Sequence, residues 1–135
     1  MKNILATIIG FVVASLTVYV FESLLGHNLF PLPEGANPMD MEWIKNNMDQ
    51  IPTGAKIFVV IAHFMGIVLG MFVAGLISKT SMIPAYIVGG LMIAATFFNI
   101  FMLPKELWFT LSDGAFAFIG FLVGTSLAKK QIKNE

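Results

Sequence analysis

Four apolar runs, at residues 4–25, 55–77, 84–103 and 107–128, take up most of this 135-residue chain and leave few folds open to it. Ile4 to Leu25 alone would extend about 33 Å as a helix, enough to cross a hydrocarbon core of about 30 Å. The solvent implied is lipid, and composition agrees: 57% of residues are hydrophobic and 12% charged. Soluble domains carry about 25% charged residues, roughly double. The reading is an all-α fold, a four-helix transmembrane bundle forming a single domain over residues 1–128.

The first run also has to be weighed as a cleavable leader. Lys2 and the small residues ending at Ser15 suit one, but the apolar stretch continues through Leu25, so a retained helix is expected. Lysines near the span ends set the orientation. Lys2, Lys79, Lys129, Lys130 and Lys133 fall on one side, against Lys45, Lys56 and Lys105 on the other. Five against three places both termini and the 129–135 tail in the cytoplasm. The protein then belongs in the inner membrane of a bacterium, as a multi-pass protein.

The 26–54 segment becomes an outer, extracytoplasmic loop. Its "HNLFPLPEGANP" stretch is extended and turning. Asn37 as N-cap, with Pro38 at the first helical position, predicts a short amphipathic helix over "PMDMEWIKNNMDQ". Met41, Ile44, Met48 and Ile51 line one side of it, and the helix should rest over the mouth of the bundle. Trp43 in this helix and Trp108 at the start of the fourth span are interface anchors.

Every span hides a polar group: Glu22, His63, Asn99 and Asp113. At ~1.5 Å per residue they lie ~5, ~12, ~6 and ~9 Å inside the outer ends of their spans. An isolated carboxylate in hydrocarbon costs several kcal/mol, so these groups should be paired, protonated or wet. The expected arrangement is a shared outer-half cluster of Glu22, His63, Asn99 and Asp113, with Tyr19 joining on a Ser15–Tyr19–Glu22 stripe. Gly66 with Gly70, and Gly120 with Gly124, have the four-residue spacing that brings helices close in lipid.

Several chemistries find little support. The absence of cysteine removes disulfides, thiolates and cysteine-held metals. Zero formal net charge offers no basic stripe for nucleic acid. Glu22, His27, His63 and Asp113 could be drawn together as metal ligands, yet no helix carries paired ligand spacing, and no metal or other cofactor is expected. Methionines beside His27 read as packing rather than copper ligands. Ser15 and Ser112 lack a base at helical spacing, so no enzymatic role is expected.

Glu22, Gly26-His27, the "FPLPEG" turn at 30–35, Pro52-x-Gly54, Gly66, Gly70 and "LPKELWF" at 103–109 recur together elsewhere. In these the chain resembles, over nearly its full length, a family of small bacterial four-span membrane proteins with no assigned activity. That family usually reads Pro-His-Pro-x-Trp where Pro104-Lys105-Glu106-Leu107-Trp108 stands here, so one candidate ligand is missing. The resemblance implies the topology. Small multidrug-resistance transporters also carry a first-span glutamate, but nearer mid-span and in a shorter chain.

Two functions follow. One is an accessory or structural subunit that assembles with itself or with another membrane protein through the glycine rows and the outer loop. The other is binding or transport of a small solute, ion or proton at the outer cluster, with a homo-oligomer supplying any path. The lipid bilayer is a partner in both.

Overall fold

In the computed structural model, residues 1–103 and 106–133 are described. Pro104 and Lys105 of the 103–109 motif, and Asn134 and Glu135 of the tail, lie outside them. Four helices are long and apolar enough to cross a membrane: α1 (Lys2–Leu29), α3 (Thr53–Ser78), α4 (Ile83–Met102) and α5 (Leu107–Lys129). A short α2 (Met41–Asn46) sits in the loop between α1 and α3. No strand occurs among the described residues, so the fold is an all-α four-helix bundle.

The helix at the centre is α3. Half of its most apolar window is buried, against 17–28% for the other three spans. It packs on α1, α4 and α5, while α1 and α5 each also touch α4. Hydrophobicity does not draw helices together inside lipid, so closeness of approach decides these contacts. Between α1 and α3 that approach is made by small residues. A Cβ on Gly70 would lie 2.7 Å from Ala14 Cβ and 2.9 Å from the Gly10 carbonyl oxygen. One on Gly10 would lie 2.8 Å from Ala74 Cβ and from the Gly70 oxygen. Gly66 meets α1 likewise, with the Ala14 oxygen 3.0 Å from a Cβ placed there.

On the other flank, Gly120 lies against Phe64 and Gly124 against Met71 Sδ. Ala14, Ile67, Met71, Ala74, Val88 and Ala117 are buried together between these contacts.

Both described ends of the chain meet the α3–α4 turn. Ser78 Oγ donates to Asn3 Oδ1 at 2.9 Å, and the Lys133 amide donates to the Lys79 carbonyl at 2.7 Å. The two termini therefore share one face of the bundle. The α1–α3 loop occupies the opposite face.

That loop differs from its expected form. Asp40, not Asn37, caps α2, its Oδ1 accepting from the Glu42 and Trp43 amides. Asn37 Oδ1 instead accepts from Met39 N in a turn two residues long. The carboxylate three residues on faces the first helical amides and takes the capping role. The helix stops at Asn46, and a 3₁₀ turn at Met48–Gln50 carries the rest of the expected stretch. Gly35, at φ +83°, turns the chain after Pro33, and the Phe30 ring covers Gly54 at the start of α3.

Replacing Gly70 with leucine forces Ala14 and the Gly10 carbonyl aside. The Gly70→Leu protein should lose about 1–3 kcal/mol or more in unfolding measurements from detergent. Gly90 has nothing within 4 Å of an added Cβ, so Gly90→Leu should stay within about 0.5 kcal/mol of wild type.

Candidate functional site

Glu22 owes its position to a widened turn. From Val20 to Gly26, α1 is a π-helix, and the His27 amide donates to the Glu22 carbonyl five residues back. At ~100° per residue an α-helix would point residues 22 and 27 roughly 140° apart. The π register stacks them, and both side chains line one cavity on the loop side of the bundle. Gly26 is buried against Phe58 at this point, which draws the widened turn onto α3.

The cavity holds about 140 Å³. Its floor and walls bring Glu22 and His27 of α1 together with Lys56 of α3 and Asn99 of α4. Its roof is the loop: Met41, Ile44, Met48 and Ile51 all line it. The apolar side foreseen for the short helix therefore faces the cavity. Trp43 is half-buried. Among the described residues, Glu22, His27 and Asn99 direct no side-chain hydrogen bond or ion pair to the protein.

Lys56 is different. It is 3% exposed, and its Nζ lies 2.6 Å from Glu106 Oε1. Glu106 stands immediately before α5. Seven residues along each helix comes a second pair. His63 Nδ1 lies 2.6 Å from Asp113 Oδ1, with His63 8% and Asp113 0% exposed. Because a carboxylate oxygen only accepts, the imidazole donates from Nδ1, which leaves Nε2 as the acceptor nitrogen when the ring is neutral. Helices α3 and α5 thus run parallel, joined at matched heptad positions 56 with 106 and 63 with 113.

The foreseen cluster is divided between two levels. His63 and Asp113 meet directly, and Glu22 and Asn99 share the cavity above them. Tyr19 joins neither. It is 55% exposed on the outer surface, and Ser15, also exposed, donates back to the Phe11 carbonyl. The inward stripe of α1 is Ala6, Gly10, Ala14 and Thr17, and only the π segment turns Glu22 inward beyond it. Trp108 is exposed, as an interface residue can be, with its ring tilted at 34° to that of Phe109. No group of three or more metal-ligating side chains occurs among the described residues.

Sequence reasoning passed over Lys56 and Glu106, counting them only as charges at span ends. Their signal was available: the 56–63 spacing on α3 equals the 106–113 spacing on α5. His27 was weighed only as a metal ligand, and its place beside Glu22 depends on a π turn that composition does not announce.

No family model, curated protein or solved structure matches the chain.

The buried His63–Asp113 pair makes an asymmetric forecast. Removing one partner strands a charge, at about 3–5 kcal/mol, whereas replacing both by apolar residues is often neutral. Asp113→Leu or His63→Leu alone should therefore destabilise strongly. The His63→Leu, Asp113→Leu double variant should fall well short of their sum in a double-mutant cycle. Likewise Glu106→Gln, which leaves Lys56 buried without its carboxylate, should cost more in the same unfolding assay than Lys56→Met.

Proposed function

We propose that this integral membrane protein binds a small solute in the cavity under its outer loop and performs no chemistry on it. One observation carries the reading. Three polar side chains from two membrane-spanning helices, Glu22, His27 and Asn99, line one roofed cavity and direct no side-chain hydrogen bond or ion pair to a described residue. Polar groups placed at this depth need a counterpart, and a cavity supplies room for one.

The size argues for a small ligand. A water molecule's share of liquid is ~30 Å³, so the space corresponds to about five waters, well below the range of drug-sized pockets. Binding is favoured over passage. Below the cavity the bundle is filled by the His63–Asp113 pair and by fully buried Ile67, Met71 and Val88. A path across the bilayer would need a second copy of the chain or another membrane protein. The accessory-subunit reading has no comparable feature behind it, since apolar outer faces are what lipid itself requires of a span.

The same reading sets the protein in a bacterial inner membrane with both termini cytoplasmic and the roofed cavity outside. It rests on the lysines of the terminal face. The cysteine-free chain makes the orientation simple to test. Glu34→Cys should react with a membrane-impermeant maleimide on intact cells, and Ser81→Cys only after lysis; the reverse pattern would overturn the orientation.

Filling the cavity tests the binding itself. Ala55 is a buried lining residue, and Ala55→Phe should abolish stabilisation of the purified protein by any small solute that raises its unfolding temperature. A solute that stabilises this variant as well as wild type sits elsewhere, and the cavity reading then fails.

A further inference from the structure

The charges around the cavity specify what it takes. Two ionic side chains line it, Glu22 and Lys56. The lysine ammonium is already matched by the Glu106 carboxylate at 2.6 Å. The Glu22 carboxylate makes no ion pair or hydrogen bond with a described residue. One negative charge at the wall is left unmatched. Two further polar side chains line the cavity: the Asn99 amide offers an acceptor oxygen, and an imidazole such as that of His27 carries an acceptor nitrogen in its neutral form. The opposite wall and roof are apolar, from Leu32, Ile44 and Met48 among others.

We propose that the ligand is a small organic monocation, a primary alkylammonium. Its ammonium would donate to Glu22 and Asn99, and its short apolar body would lie under the α2 roof. This rests on the cavity-binding reading above and names the ligand class for it. Three N–H donors suit a lining that offers a carboxylate, an amide oxygen and an imidazole nitrogen. A neutral solute would leave the carboxylate without a counter-charge. An anion would be repelled by it. About 140 Å³ accommodates a chain of a few carbons and excludes bulky aromatic cations.

The loop above adds to the selection. Residues 26–54 carry Glu34, Asp40, Glu42 and Asp49 against Lys45, a surplus of acid at the mouth. Such a field raises the local concentration of cations and falls away with salt. The Glu22 side chain makes no hydrogen bond or ion pair with a described residue, so its replacement should leave the fold unchanged.

The experiment compares n-butylammonium, n-butanol and butyrate, matched in size, by isothermal titration against the full chain in lipid nanodiscs. Butylammonium should bind at least tenfold more tightly than either of the others. Glu22→Gln should weaken it at least tenfold with an unchanged circular dichroism spectrum and unfolding temperature, and Glu22→Asp should restore part of the affinity. Equal binding of butanol, preference for butyrate, or indifference to Glu22→Gln overturns the cation assignment while the cavity reading stands. Failure of all three solutes to bind removes both. Sodium or potassium chloride displacing butylammonium at equal concentration would make the site one for inorganic cations and also overturn the proposal.

Discussion

Two polar pairs at matched positions, the Lys56–Glu106 ion pair and the hydrogen-bonded His63 and Asp113, hold the register of the bundle. Apolar faces specify little inside a bilayer, because a leucine is as well solvated by lipid tails as by a neighbouring helix. A buried charge admits far fewer arrangements: its partner must arrive at the right height and on the right side. With a heptad between the pairs on both helices, α5 cannot slide or turn relative to α3 without breaking both. As α3 and α5 are parallel, the chain must return between them, and α4 is that return. The α3–α4 turn then falls on the terminal face, and Leu103 after α4 and Phe109 in α5 line the cavity at the other.

The opposite flank of α3 is held differently. Nothing ionic joins α1 to it; the backbones come close because Gly10, Ala14, Gly66, Gly70 and Ala74 carry almost no side chain. Close approach of this kind ends where small residues end, and on α1 the last buried position before the widened turn is Thr17. Beyond that point the helix is released from regular α geometry and takes up the π turn at Val20–Gly26. The π segment and the cavity thus occupy the same height for a connected reason. Gly26 still packs on Phe58 within the π segment, and the widened turn directs Glu22 and His27 into the space beside that contact.

Much of this was legible in the residues. Span number and extent follow from length and hydropathy alone, since lipid leaves a backbone no alternative to the helix over such runs. The glycine pairs 66–70 and 120–124 face neighbouring helices, and His63 and Asp113 were placed in one outer-half cluster. Three things were not legible. Asn37 and Asp40 are both good caps, and only the fold shows which one faces the helical amides. Tyr19 and Glu22 share a face in an α-helix but not across a π turn, and no residue type marks that turn. Lys56 and Glu106, near span ends, looked free to reach water, and what buries Lys56 is the packing of α3 and α5 rather than its place in the sequence.

The loop shows why the cavity persists beside a membrane. An amphipathic helix on a bilayer surface would turn Met41, Ile44, Met48 and Ile51 into the lipid. Here those side chains form the roof, while the tether of Phe30 over Gly54 and the Phe30–Phe58 contact holds the loop on α3. The apolar demand of the loop is met inside the protein, not by lipid. A polar floor and an apolar roof are each unsatisfactory alone in this position, and a small amphiphilic cation between them would satisfy both.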